Sequence, residues 1–415
     1  MDYGTNIKAA LKFLRGNDPS KVCYLFIYPG NATGDLAHVL PVVSKDPRYR
    51  VLIVDGKPSA TAATTEGVKK IGNVMTQQFG ISYNQVARAT SLLKNNEAKQ
   101  MSAVIADARD EAGKLNPKFD RIFQLADSSK ILRAMFLGDA NPGFSNNELR
   151  KAPDLSVTYG TATVRKVLYG QFGADAPKSS IPISSFYQII KNAGVTADDM
   201  SKPLLVLWGR KAKKPGDGGV HYDLNHSHTA WSQVAERCLA EGYSVFVVGE
   251  FPREKWEQHE RFRGSHYLGD FYSDPPLTRS MQLCFFDYVR ELLEWHGGTR
   301  FLHLGMRSGG LDFYGLAGQP ILYVATEQLS NENRLVGDER MKGVTTALAG
   351  KPAMQFDRFI ASRQPKRWTT EGDVVKRDET RKTNETSGGF LKNDLDALIA
   401  QIKQRLRMPE LLLDS

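Results

Sequence analysis

Two glycine-bearing turns hold the residues of this chain best placed to do chemistry. The first reads Gly30-Asn31-Ala32-Thr33-Gly34-Asp35-Leu36-Ala37-His38 and lies between an apolar run and a helical pattern. Glycines ahead of a helix let a ligand approach the backbone, and the free N–H groups there favour an anion or a developing negative charge. Asn31, Thr33, Gly34 and His38 are the loop and acceptor candidates. Asp35 falls at the helix start, where it either caps the first turn or serves as a catalytic carboxylate. The turn is not G-x-G-x-x-G, and no Gly-Lys-Ser/Thr follows to make a P-loop.

The second turn is Leu304-Gly305-Met306-Arg307-Ser308-Gly309-Gly310-Leu311-Asp312. A strand ends, two glycines open a helix, and Arg307 stands at the mouth. Backbone N–H groups of Ser308, Gly309 and Gly310 can cradle a diphosphate while Arg307 adds a fixed charge. The competing reading is a tight strand-to-helix turn with glycines chosen for packing.

Other loops are less specific. Arg210, Lys211, Lys213 and Lys214 follow an apolar run and form either a phosphate clamp or a solvated loop. Glu250 follows another such run, as an acceptor for ribose hydroxyls or as an ordinary exposed acid. His221, His226 and His228 have no acidic or cysteine ligand pattern beside them, so no metal site is expected. The stretch 285–289 (Phe-Phe-Asp-Tyr-Val) reads as helical core.

The elements that must position these groups alternate along the chain. Residues 22–28 read as a strand, then a helix carries Leu36, Val39, Leu40 and Val43 on one face, and 49–56 is a second strand, together a βαβ unit. Residues 60–115 look mostly helical, 119–125 reads as a strand, and Asp127-Ser128-Ser129 caps a helix through Phe136. The pattern weakens between Gly138 and Pro182, where turn-rich segments mark an inter-domain region. Strands are then expected at 204–208, 243–249, 266–268, 301–304 and 320–324, with helices at 229–241, 280–295 and 310–317. This alternation predicts an α/β protein with two Rossmann-like domains, at 1–165 and 180–360. Residues 361–390 form a polar segment expected to be flexible, and 391–415 a terminal helix with a stripe of Leu391, Leu395, Leu398, Ile399, Ile402 and Leu406.

Composition narrows the class. Of 415 residues 41% are hydrophobic and 24% charged, which excludes wholesale disorder. No apolar run approaches the roughly 20 residues of a membrane-crossing helix, and the first residues lack a signal-peptide pattern. Cys23, Cys238 and Cys284 are an odd number without CxxC spacing, as expected for reduced thiols in a cytoplasmic protein. The formal charge of +9 admits nucleic acid, a phosphate-bearing ligand or an anionic surface as partner. No RRM, KH or zinc module appears, which weighs against nucleic acid.

The stretch Gly34-Asp35-Leu36-Ala37-His38-Val39-Leu40-Pro41 resembles the N-terminal motif of the lipopolysaccharide heptosyltransferases (glycosyltransferase family 9), which have the GT-B fold. Gly-Asp, two residues, a His, one residue and Leu-Pro directly follow that family's first strand. The second turn is also similar to the family's Asp-Thr-Gly-x-x-His loop: Ser308-Gly309 is followed by Asp312, and Pro320 lies eleven residues after Gly309. Arg307 stands where the family has Asp, and Asp312 where it has His. Arg210 or Lys211 stands near the place of the family's phosphate-binding Lys. Arg-Ser-Gly at this turn is also similar to some fucosyltransferase-like GT-B enzymes.

The resemblance implies two facing domains, the first for acceptor and the second for a nucleotide-sugar donor. It implies a metal-independent, inverting glycosyltransferase in which Asp35 is the base. Arg210, Lys211, Glu250, Arg307, Ser308, Gly309, Gly310 and Asp312 would bind the donor, a nucleoside-diphosphate sugar used as co-substrate with no further cofactor. The acceptor stays open among a glycan, a protein and a small molecule. Three rival readings accompany this one: a nucleotide-sugar 2-epimerase of the same fold drafting Asp35, His38 and Glu250, a non-catalytic GT-B scaffold, and a nucleic-acid-binding protein.

Overall fold

Long apolar runs in a parallel sheet are buried on both faces, so each needs a helix above and below it. The computed structural model of the chain supplies this arrangement twice. It describes residues 1–30, 36–57, 66–92, 101–123, 125–137, 159–170, 182–209, 228–249, 251, 253–269, 277–297, 300–306, 309–326, 356–361, 390 and 392–407. These fall into two compact units, the first within residues 1–170 and the second within 182–407.

The first unit runs α1 (Ile7–Arg15), β1 (Tyr24–Pro29), α2 (Leu36–Lys45), β2 (Tyr49–Lys57), α3 (Glu66–Asn73), β3 (Val86–Leu92), α4 (Met101–Gly113), β4 (Arg121–Phe123), α5 (Ser128–Leu137) and α6 (Thr161–Tyr169). A π-helical turn, Val74–Gln78, extends α3. The strands are parallel in the order β3-β2-β1-β4, with Tyr24 opposite Tyr49 on one side and Arg121 on the other. Leu25, Ile27, Leu52, Val54, Ala87 and Ala89 pack against α1 and α4 through Leu11, Leu14, Val104 and Ala108. The alternate residues point to the other face, where the rings of Tyr24, Phe26, Tyr49 and Phe123 cluster.

Two local expectations change here. Residues 86–92 lie in the stretch expected to be helical, yet they form a strand in register with β2 from Val51 to Lys57. Val-Ala-Arg-Ala-Thr-Ser-Leu has few strand formers, and the ladder to β2 decides its state. The region expected to separate the domains contains α6, whose Val164 and Leu168 are buried and which packs on α2 and α5.

The second unit runs α7 (Ile183–Asn192), α8 (Ala197–Met200), β5 (Leu204–Gly209), α9 (His228–Ala240), β6 (Ser244–Gly249), α10 (Arg253–Gln258), β7 (His266–Tyr267), α11 (Arg279–Trp295), β8 (Phe301–Met306), α12 (Gly309–Leu316), β9 (Ile321–Thr326), β10 (Phe356–Ala361) and α13 (Lys392–Arg407). All strand pairings are parallel, in the order β10-β9-β8-β5-β6-β7. Counted within the unit this is 6-5-4-1-2-3, the strand order of dinucleotide-binding α/β sheets. One face packs on α9 and on the apolar stripe of α13, with Trp231, Val234 and Cys238 meeting Leu398, Ile399 and Ile402. The other carries α11, whose Phe285, Phe286 and Val289 are fully buried, as the helical-core reading of 285–289 requires.

The chain is therefore an α/β protein of two Rossmann-like units with a terminal helix. β10 is an element the pattern did not announce, a strand at the edge of the sheet that pairs in parallel with β9. The polar segment expected to be flexible lies almost wholly outside the described residues.

Candidate functional site

Ligands of open α/β sheets bind beyond the carboxyl ends of the strands, where the strand order reverses. In the second unit that switch point lies between β5 and β8. In sequence, the residues following these two strands are the cationic stretch beginning at Arg210 and the pair Arg307-Ser308 that precedes α12; both lie outside the described residues.

Glycines at three strand ends shape this edge. Gly249 has φ +86°, and a Cβ there would lie 2.4 Å from the Gly209 carbonyl oxygen. A Cβ on Gly209 would in turn meet the Phe251 Cβ at 2.7 Å and its backbone N at 2.8 Å. The chain leaving β6 thus lies against the end of β5, and the Tyr267 hydroxyl holds it by donating to the Phe251 carbonyl at 2.7 Å. On the other side, a Cβ on Gly305 would meet Leu311 Cδ1 at 2.5 Å and Trp208 Cβ at 3.0 Å. The missing side chain lets the first turn of α12 settle onto β8. For Gly209, Gly249 and Gly305 the packing role is the physical one, and it sets where Gly309 and Gly310 present their backbone.

A buried polar chain stiffens the same region. Trp208 Nε1–H donates to Nδ1 of His303 at 3.0 Å, which leaves the imidazole proton on Nε2, 2.9 Å from Oε1 of Gln319. Gln319 Nε2 donates to the Leu283 carbonyl at 3.2 Å and to Asp287 at 3.3 Å, reaching α11. Burial pushes His303 down to about 3, against the bond to Gln319, so the ring is neutral at physiological pH. Its ring lies 4.6 Å from Phe286 and 4.9 Å from Tyr314 of α12. The Trp208 ring lies 4.9 Å from that of Tyr314, tilted by 44°, and Trp231 Nε1 donates to the Trp208 carbonyl at 2.9 Å. Tyr314 donates to Gln282 at 3.0 Å. The end of β5 and the body of α12 are thereby fixed to one another.

Asp312, in the first turn of α12, is 5% exposed and accepts a short hydrogen bond from the Tyr323 hydroxyl on β9. It lies within one turn of Gly309 and Gly310. Among the described residues no group of three or more His, Cys, Asp or Glu could hold a metal ion.

The first unit has its own switch point, between β1 and β4. Gly30 ends β1, with its N–H donating to the Val54 carbonyl at 2.7 Å. A Cβ there would lie 2.8 Å from Val68 Cγ2, so this glycine serves the close approach of α3. His38 is 1% exposed in the first turn of α2, a helix whose residues from Leu36 through Val43 are all buried.

Of the candidates named from sequence, His38, Gly309, Gly310 and Asp312 are described by the structure. Asn31, Thr33, Gly34, Asp35, Arg210, Lys211, Glu250, Arg307 and Ser308 lie outside the described residues. The sequence reading missed His303, Gln319 and Tyr323. A histidine between Leu302 and Leu304 in a strand signals a buried, hydrogen-bonded ring, but nothing local names its partners.

No family model matches the chain, and no curated protein sequence matches it. Among solved structures it is similar to a UDP-GlcNAc 2-epimerase from Neisseria meningitidis bound to UDP-GlcNAc, at 12% identity and a TM-score of 0.37 over 92% of this chain and 100% of that one. It is also similar to Anabaena HepE in complex with UDP and glucose, at 11% identity and a TM-score of 0.28 over 92% and 95%. A third likeness is to TcCGT1 in complex with UDP, at 10% identity and a TM-score of 0.33 over 93% and 95%. Similarity this low transfers neither activity nor substrate.

Proposed function

We propose that the chain is a nucleotide-sugar-dependent glycosyltransferase, inverting and metal-independent, with the donor held by the second unit. One observation carries the reading. The strand order of that unit puts its reversal between β5 and β8, and the sequence leaving those two strands supplies Arg210, Lys211, Arg307 and the small residues before α12. Backbone N–H groups at the start of α12 and the flanking cations suit a diphosphate and would offset the charge it gains as it leaves. The formal charge of +9 accords with a phosphate-bearing donor. Asp35, after β1 of the first unit, would take the proton of the acceptor hydroxyl, a role that typically contributes about 10²–10⁴-fold. A cytoplasmic location belongs to the same proposal; no helix among the described residues is long and apolar enough to cross a membrane.

The test is a panel of UDP-, GDP-, ADP- and dTDP-sugars incubated with the protein and read by mass spectrometry. Release of nucleoside diphosphate with free or transferred sugar from one donor supports the reading. Conversion of the donor into an isomeric nucleotide sugar would replace transfer with epimerisation. No binding and no turnover of any donor would remove it.

A further inference from the structure

We infer that His266 is a proton-operated clasp: an imidazolium that pins the α7–α8 corner to the edge of the second sheet and loosens it when the proton leaves. The Nδ1 atom lies 3.0 Å from the carbonyl oxygen of Ala193, just past the end of α7. A carbonyl only accepts, so Nδ1 carries a proton. The Nε2 atom is shut off from water and has no hydrogen-bond partner in line, yet it lies 3.2 Å from an Asp199 carboxylate oxygen, at ion-pair distance. A neutral ring protonated on Nδ1 turns a lone pair toward that carboxylate and leaves a buried polar atom unsatisfied, which is costly. A second proton, on Nε2, turns the same contact into an attraction. The side chains of His266 and Asp199 are 13% and 19% exposed, so water screens the pair only in part.

Asp199 is held in place to meet that charge. It accepts from the Thr196 N–H at 2.8 Å and from the Thr196 hydroxyl at 2.6 Å, within the capping box of α8. Burial works against its ionisation, but these bonds and the His266 charge outweigh it and hold the carboxyl below the usual range. Among the described residues Asp199 is the charged side chain that meets the ring, while Asp198 and Lys202 beside it pair with each other at 2.6 Å. Phe246 of β6 meets the ring edge to face at 5.8 Å, and α7 presents the Ala193 carbonyl. Ser244, the first residue of β6, donates to the Asp199 carbonyl at 2.7 Å whatever the pH. Phe186 keeps α7 against Phe285 of α11, with ring centroids 5.6 Å apart. Loss of the proton therefore loosens the corner without detaching it. Ser244 marks the amino-terminal end of β6, whereas ligands of such sheets bind at the carboxyl ends, so the clasp is separate from the proposed donor site.

The test is amide hydrogen exchange on the full chain, read by mass spectrometry from about pH 5.5 to about pH 8, where imidazoles ordinarily titrate and carboxylates do not. Rates are corrected for the intrinsic effect of pH, and peptides from α9 serve as the internal reference. Peptides covering 193–201 should be about three- to tenfold better protected at the acid end than at the alkaline end, relative to α9. His266→Gln, whose amide can still donate to the Ala193 carbonyl, should flatten that profile. Asp199→Asn, which keeps an oxygen for Thr196, should flatten it too. The buried neutral His303 weakens the whole unit as pH falls, so it cannot produce extra protection at low pH. Wild-type protection that stays level or falls toward the acid end overturns the inference, as does a profile retained in either variant. If one variant does not fold, the other decides, and if neither folds the wild-type profile decides alone.

Discussion

The neutral, fully buried His303 makes the stability of the second unit depend on pH in a way that can be worked out beforehand. In the unfolded chain its imidazole titrates near the ordinary 6.5, while burial holds it at about 3 in the folded unit. A folded pKa below the unfolded one means that the unfolded chain binds more protons between these values, so stability falls as pH drops below about 6.5. Above about pH 7.5 both states are neutral and the effect vanishes. At pH 5 the unfolded chain gains RT ln(1 + 10^1.5), about 2 kcal/mol, and the slope approaches about 1.4 kcal/mol per pH unit.

Other groups titrate too, so the measurement is a difference against His303→Gln, whose amide can still accept from Trp208 and donate to Gln319. Urea unfolding followed by tryptophan fluorescence reports on this unit, because all five tryptophans lie beyond residue 200. Asp199 does not intrude: burial opposes its ionisation, but hydrogen bonds from Thr196 and the His266 charge prevail, so its carboxyl sits below the usual range. Its contribution is present above its unfolded value and is lost only as pH falls further. The variant starts less stable at pH 7.5, by about 1–3 kcal/mol for a disturbed buried network. The gap to wild type should then narrow by about 2 kcal/mol at pH 5. A gap that stays constant with pH would refute the neutral-histidine account.

Three further outcomes follow from named residues. Gly249→Ala places a methyl 2.4 Å from the Gly209 carbonyl at φ +86°, whereas Gly242→Ala, at φ +79°, meets nothing within 4 Å. Chemical unfolding should show the first losing about 3 kcal/mol or more and the second only about 1–2 kcal/mol; equal losses would contradict the packing described at the strand ends. Asp35→Asn should reduce transfer by at least about 10²-fold in a product assay while calorimetric donor affinity stays within about twofold; an active variant would sink the base assignment. Arg307→Ala should weaken nucleoside-diphosphate binding by roughly tenfold, and by less as salt rises; unchanged affinity would count against the cradle.

The sequence by itself determined that strands and helices alternate, and where the glycine turns between them fall. Both are local consequences of burial: a strand covered on both faces must be a continuous apolar run, such as 204–208, and its crossover helix must carry an apolar stripe. It also marked the stretches after Pro29, Trp208 and Gly305 as places for chemistry. Only the tertiary structure decided the strand order, and with it which of those stretches flank the reversal in each sheet. Val86–Leu92 became a strand because β2 offered it a ladder, which its own side chains do not request. Gly30 proved to serve α3, and Gly209, Gly249 and Gly305 to serve packing between strand ends, distinctions set by neighbours 38, 42, 40 and 6 residues away. His303 is neutral because the folded core buries it, with Trp208 and Gln319, 95 and 16 residues distant, meeting its two ring nitrogens. Charge state, close approach and hydrogen-bond partnership are pairwise properties of the folded chain, so they appear only once the sheet has brought distant residues together.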